Sequence, residues 1–132
     1  MTWQETEDAA MKLAAQIPNK PDVIVAVVRG GLIPARLLAK FLAVKDMYAL
    51  TVKKKGDERV ITSNIVDDLH GKVILVVEDV LESGASLIAV KGYLEKAGAS
   101  VVTASFFIQP RSLIKPDYFI AIKDEVPRFP WD

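Results

Sequence analysis

The sequence predicts an α/β fold: a single domain, residues 1–132, with a mainly parallel twisted sheet flanked by helices and a small irregular carboxyl-terminal cap. Two patterns carry this. Runs such as VIVAVV (Val23 to Val28) and KVILVV (Lys72 to Val77) are β-branched and apolar without polar alternation, which suits strands covered on both faces. Between such runs, apolar residues recur at helical spacing, so strands and helices alternate. Length agrees: 132 residues with 51 % apolar content suit one domain with its own core.

The elements follow in order. Thr2 and Glu5 have capping-box spacing, and Ala10, Leu13, Ala14 and Ile17 repeat behind them, giving a helix over Gln4–Ile17 that Pro18 ends. The strand Val23–Val28 is broken by Arg29-Gly30-Gly31. Leu37, Leu38, Phe41 and Leu42 mark the buried side of a second helix, with Pro34 in its first turn. MYALTVKK reads as a strand, KKGDER as a charged loop and RVITSN as a short ribbon. KVILVV is the next doubly covered strand. Leu87, Val90, Leu94 and Ala97 form one face of a third helix, which Gly98 stops. SVVTASFFI and DYFIAI are further strands, and the tail VPRFPWD is an ordered irregular cap.

Charge and composition exclude several function classes. Basic and acidic residues balance, 17 against 17, which argues against broad attraction to nucleic acid or membrane. There is no cysteine, so no disulfide framework, thiolate metal cage or thiol nucleophile. His70 is the single histidine, which excludes a multi-histidine metal site. The start MTWQETEDAA is acidic and polar, unlike a secretory signal, and no apolar run reaches the about 18 residues a membrane span needs. A soluble cytoplasmic protein is expected.

In parallel sheets, ligands sit outside the carboxyl ends of the strands. Two loops leave such ends with unusual residues, Arg29-Gly30-Gly31 and Glu78 through Ser86, and the topology puts both on one edge. Ser83, Gly84, Ala85 and Ser86 open a helix with small side chains. Backbone N–H groups are then exposed at the positive helix end, and two hydroxyls add donors, as in a phosphate cradle. An ordinary helix start capped by Ser83 uses the same residues. The pattern is neither a Walker loop nor the dinucleotide G-x-G-x-x-G. Glu78 and Asp79 close a buried strand as like charges that repel and lose solvation. Such a pair suits the vicinal hydroxyls of a ribose and a magnesium ion; the alternative is one solvated acid and one capping a backbone group. Glu82 suits a general acid or base beside the cradle, or a solvated acid in the first helical turn.

Together these residues resemble the phosphoribosyl pyrophosphate motif of type I phosphoribosyltransferases: a hydrophobic strand Val73 to Val77, the acids Glu78-Asp79, apolar Val80-Leu81, then Glu82-Ser83-Gly84-Ala85-Ser86. VVRGGLIPARLLAKFL is similar to the family's pyrophosphate-gripping loop, KKKGDERV falls where its mobile loop lies, and QPRSLIKPDYF with FPWD resembles the base-binding end of the xanthine-guanine and archaeal hypoxanthine-guanine enzymes. The resemblance covers nearly the whole chain after Ile17. It implies transfer of the 5-phosphoribosyl group from phosphoribosyl pyrophosphate to a nucleobase, a 6-oxopurine in purine salvage, with release of pyrophosphate. Glu78 and Asp79 would hold the ribose hydroxyls, with Asp79 the magnesium (Mg2+) contact. Residues Glu82, Ser83, Gly84, Ala85 and Ser86 would wrap the 5′-phosphate, with Glu82 and Asp79 as the catalytic acids. Arg29 and Gly30 would meet the pyrophosphate, in a loop that often carries a non-proline cis peptide in this family. A simple strand-to-helix turn is the plainer reading of the same residues. A small α/β domain with an apolar tail also leads us to expect a homodimer.

Three positions depart from the family pattern. Glu82 stands where the family usually has Asp facing the base's N7. Gln109 stands where purine enzymes keep a Lys against the 6-oxo group; Gln donates a hydrogen bond but supplies no charge. Val126 stands where they place an aromatic over the purine, and stacking is worth more than contact with valine. Lys115 reads as part of a solvated loop. Phe129 and Trp131 either close the pocket or lock the tail. The run Lys53-Lys54-Lys55, with Arg59, forms a closing loop over pyrophosphate or a solvated charged loop, and Gly56 lets it bend. The departures leave a second reading, a non-catalytic module binding phosphoribosyl pyrophosphate or a nucleotide. A receiver-like phosphorylation domain also has paired acids at a strand end, but nothing after Glu82 matches it.

Overall fold

A computed structural model describes residues 1–132. Three helices and six strands follow in the order α1 (Trp3–Gln16), β1 (Val23–Val28), α2 (Leu32–Leu42), β2 (Met47–Lys55), β3 (Glu58–Ile61), β4 (Val73–Leu81), α3 (Ala85–Lys96), β5 (Ser100–Ile108) and β6 (Tyr118–Ile122). The sheet order is β3-β2-β1-β4-β5-β6, and every pairing is parallel except the β2–β3 hairpin. The expected α/β class and mainly parallel sheet are what the structure contains.

The missing polar alternation in the central strands has a direct cause. Helices α1 and α2 pack on one face of the sheet and α3 on the other. Ile24, Ala26, Leu75, Val77 and Phe106 point into the core under α1 and α2. Their neighbours Val25, Val27, Ile74 and Val76 point into the core under α3, with Leu87, Val90 and Leu94. Each strand residue therefore meets a helix whichever way it points.

The helix ends follow their chemistry. The Thr2 hydroxyl accepts from Glu5 N–H at 3.0 Å while Glu5 Oε1 accepts from Thr2 N–H at 3.1 Å, which closes the capping box. The helix begins at Trp3 and ends at Gln16, with Ile17 as its cap. In α2 the fully buried positions are Pro34, Ala35, Leu38 and Ala39, while Leu37, Phe41 and Leu42 are half-buried at the edge of that core. Small alanines let the helix approach the sheet, and the larger side chains fill the rim. Ala97 is an exposed cap residue rather than part of the buried face of α3.

The structure changes two readings near the site. The charged stretch Lys54 to Arg59 is a hairpin rather than a loop, with Lys54 opposite Arg59 and Lys55 opposite Glu58 around a turn at Gly56 and Asp57. Gly56 takes φ +61°, the left-handed conformation a tight turn asks of glycine. Strand β4 does not end at Val77. It continues to Leu81 because β5 runs on beside it, with Glu78 opposite Ser105, Val80 opposite Phe107 and Leu81 opposite Ile108. The paired acids thus lie within a strand and share its rigidity.

Candidate active site

The carboxyl edge of β1 and β4 carries the polar groups. After β1 the chain turns through a cis peptide between Val28 and Arg29, and Gly31 N–H returns to Val27 C=O at 2.9 Å. This turn lies directly against β4. A Cβ on Gly30 would overlap the Asp79 carboxylate, and one on Gly31 would overlap the Val77 carbonyl. Both glycines are therefore dictated by the close approach of this loop to the acidic end of β4.

Successive strand residues leave on opposite sides, so the adjacent acids meet different surroundings. Glu78 is half-buried beside the turn before α3. Burial pushes its carboxyl up to about 8, and the nearby charges of Asp79 and Glu82 add to the effect. Asp79 is also raised, first by burial, while the Val80 N–H at 2.7 Å pulls the other way. The buried Trp131 indole N–H faces the Asp79 carboxyl and lowers its pKa without closing a full hydrogen bond. The buried Ser105 hydroxyl donates to the Asp79 carbonyl at 3.1 Å or the Phe107 carbonyl at 2.8 Å, tying this end of β4 to β5.

The turn before α3 is built by glycine. Gly84 is the N-cap at φ +81° and offers no side chain to the first turn. The Ser83 hydroxyl accepts only from Ala85 N–H, at 3.2 Å, so Ser83 shapes the turn and the alternative reading of Ser83 as the helix cap does not hold. A Cβ on Gly84 would come within 2.6 Å of Ile114 and 2.8 Å of the Ser112 hydroxyl. Ser83 C=O also accepts from Leu113 N–H at 2.8 Å. The turn is thus braced from outside by the loop that follows β5.

Two adjoining clefts result. One, of about 330 Å³, is lined by Glu78, Asp79, Glu82, the Ser83 to Ser86 turn, and Val126, Phe129 and Arg59. The other, of about 490 Å³, is lined by Arg29, Gly30, Leu32, Ile33 and Trp131. Asp79 and Asp132 line both. Of the residues singled out from sequence, Glu78, Asp79, Glu82, Ser83, Gly84, Ala85, Ser86 and Val126 share the first cleft, and Arg29 and Gly30 share the second with Asp79. Gln109 lines neither: its Oε1 accepts from Arg111 Nε at 3.1 Å and its amide donates to Asp124 C=O at 3.4 Å. Lys53, Lys54 and Lys55 are exposed on the hairpin, and Arg59 reaches the first cleft.

Phe129 and Trp131 do both jobs the sequence left open. They stack at 4.6 Å with an interplanar angle of 4°, and Phe129 is buried against Phe106 and Phe107. The lock formed in this way also carries Trp131 and Asp132 to the clefts. Asp132 and Arg111 are polar groups of this region that sequence reasoning passed over. Neither belongs to a periodic pattern, and only contacts formed by the folded tail and loop bring them here.

No group of three or more acidic, histidine or cysteine side chains is arranged to hold a metal by itself. The donor set still fits a hard cation. Magnesium keeps several waters and is commonly bound through one or two carboxylates plus substrate phosphates, and Asp79 offers a carboxylate where the two clefts meet.

A family model for the phosphoribosyl transferase domain matches residues 2–132. The xanthine-guanine phosphoribosyltransferase of Idiomarina loihiensis is 28 % identical, with 100 % of this chain and 85 % of that protein covered. The orotate phosphoribosyltransferase 2 of Mesorhizobium japonicum is 34 % identical over 93 % of this chain and 63 % of its own length. Among solved structures, the purine phosphoribosyltransferase of Pyrococcus horikoshii superposes with a TM-score of 0.92 at 35 % identity, covering 100 % of this chain and 91 % of that one.

Proposed function

Because the chain belongs to the phosphoribosyl transferase domain family and is a phosphoribosyltransferase, we propose that it transfers the 5-phosphoribosyl group to a purine, specifically a 6-oxopurine in salvage. One observation supports this most. The paired acids, the small-residue turn and the Arg29-Gly30 turn share one sheet edge as adjoining clefts that meet at Asp79. A ribose flanked by a 5′-phosphate and a pyrophosphate needs acceptors for its diol between two anion sites, and the clefts have that order. Relatives named for xanthine-guanine and purine substrates support the base class.

The residues then have distinct tasks. Glu78 and Asp79 accept from the ribose hydroxyls, fixing the sugar so that the anomeric carbon faces the incoming base. Glu78 is held largely neutral by burial in the free protein, so its ionisation is favoured when substrate hydroxyls and cation arrive. The turn Ser83 to Ser86 offers backbone N–H groups and hydroxyls to the 5′-phosphate at the positive end of α3. Arg29 and the Gly30 backbone offset charge that grows on pyrophosphate as the glycosidic C–O bond breaks. The base nitrogen forms the new bond, so no protein nucleophile is needed. Glu82 lies at the cleft edge to accept a proton from the base. The β2–β3 hairpin bearing Lys53, Lys54, Lys55 and Arg59 closes over the pyrophosphate and keeps out water, which would otherwise hydrolyse the activated sugar. Magnesium would be held by Asp79 with substrate oxygens and would supply charge neutralisation of the leaving pyrophosphate.

No helix is long and apolar enough to cross a membrane; a cytoplasmic setting and a homodimer are further parts of the proposal. Sedimentation would test the homodimer. The reaction is tested by incubating the protein with phosphoribosyl pyrophosphate, magnesium and single bases (guanine, hypoxanthine, xanthine, adenine and orotate) and separating products by chromatography. A nucleoside monophosphate from a 6-oxopurine is expected. Product from orotate or adenine alone would overturn the base assignment, and binding without product from any base would favour the non-catalytic module.

A further inference from the structure

The indole of Trp131 carries the one buried side-chain polar atom of the protein that has no hydrogen-bond partner, its Nε1. A buried donor left unpaired costs free energy and is rare in folded proteins. This N–H faces the Asp79 carboxyl, beside it in the second cleft, without closing a bond to it. The ring, not the N–H, holds the side chain in place. Trp131 stacks on Phe129 at 4.6 Å, and Phe129 lies over Phe107 of β5 at 6.1 Å. Aromatic packing of the tail on the sheet therefore places the donor in advance.

We propose that Trp131 is a positioning residue for Asp79: its indole N–H closes a hydrogen bond to the carboxylate when a ribose diol enters, and so fixes the acceptor that grips the sugar. The inference rests on the phosphoribosyl-transfer reading of this cleft and brings a residue of the tail into it.

The surroundings of Asp79 support this. Its main chain is already rigid: the residues on either side pair with β5, and the Ser105 hydroxyl lies 3.1 Å from its carbonyl. Its side chain is held less completely. The Gly30 main chain lies against it, and Oδ1 accepts from the adjacent Val80 N–H at 2.7 Å. A carboxylate has about four acceptor positions. One further donor fixes its plane and still leaves room for a sugar hydroxyl and a cation. Indole suits that place, because it donates and cannot accept, so it does not compete for the hydroxyls of the sugar. It is also neutral, so it leaves Asp79 the charge that a magnesium ion needs, which a lysine or arginine in its place would offset. Because the ring is anchored, the bond closes by movement of the carboxylate, and the tail sets where that movement stops.

Calorimetry with magnesium and either guanosine monophosphate or its 2′,3′-dideoxy counterpart tests this. Trp131→Phe keeps a ring to stack on Phe129 and loses only the N–H. It should bind guanosine monophosphate about tenfold more weakly than wild-type protein does. It should bind the dideoxy nucleotide, which has no diol, as well as wild-type protein does. In an Asp79→Asn background the same substitution should cost the ribonucleotide nothing further. Unchanged guanosine monophosphate affinity in Trp131→Phe overturns the proposal. An equal loss for both nucleotides overturns it too, since Trp131 would then only lock the tail. So does a loss that persists in the Asp79→Asn background, since the N–H would then act on the ligand itself. If wild-type protein does not bind guanosine monophosphate, the functional reading itself falls and takes this inference with it.

Discussion

The two ends of the cleft, which the proposed function assigns to ribose phosphate and to the base, are built in different ways. The first comes from one unbroken stretch, Glu78 to Ser86, running from the end of a central strand into α3. Its geometry is set by backbone: ladder pairing fixes the acids, and Gly84 fixes the turn. The second is assembled from distant pieces: Val126, Phe129 and Asp132 line it, and the Arg111–Gln109–Asp124 contacts lie outside its lining. Side-chain contacts on loops hold it, and several are exposed. A site set by backbone tolerates little change, whereas one assembled from loop side chains can alter its ligand without altering the fold.

The largest expected effect lies at the rigid end. Glu78→Ala with Asp79→Ala should reduce turnover by at least about 10³-fold, because it removes preorganised partners of the sugar. Circular dichroism should show the fold retained. Gly84→Ala comes next. It forces a non-glycine residue to φ +81° and drives a methyl group against Ile114 and Ser112. A loss of about 1–3 kcal/mol is expected in chemical denaturation, with weakened ribose 5-phosphate binding.

Titration sharpens the contrast further. Folded Glu78 titrates at about 8 against an ordinary 4.5, so between those values the folded state holds more protons than the unfolded one. Stability should fall as pH rises through that window, and the full penalty should remain above it. Glu78→Gln should remove this decline, and thermal melts from pH 5 to pH 9 would show it. A wild-type decline that persists in the variant would assign it to another group. The smallest effect belongs to the base end: Val126→Phe should tighten guanosine nucleotide binding by about 0.5–1.5 kcal/mol through stacking, read by calorimetry, while ribose 5-phosphate affinity stays fixed.

The same contrast explains what was legible in the sequence. Strand Val23–Val28 and the capping box at Thr2 and Glu5 were readable because local chemistry determines them. So was the array from Glu78 to Ser86, since its spacing along the chain is its spacing in space. The extension of β4 to Leu81 was hidden because a partner strand, not its own apolar pattern, sustains it. The hairpin at Lys54 to Arg59 was hidden because exposed charge masks strand pairing at a sheet edge. Arg111 and Asp132 were missed because nothing local distinguishes an arginine or aspartate that folding brings to this region from a solvated one. The engagement of Gln109 by Arg111 and Asp124 is likewise a product of tertiary folding.

The central claim is that a sugar bearing phosphate at one end and pyrophosphate at the other lies across Asp79, between the α3 turn and Arg29. Calorimetric titration of phosphoribosyl pyrophosphate with magnesium into wild-type protein and into the Glu78→Ala, Asp79→Ala variant addresses it most directly. Saturable binding at one site per chain, abolished in the variant, is the predicted result. Equal affinity in both proteins would contradict it.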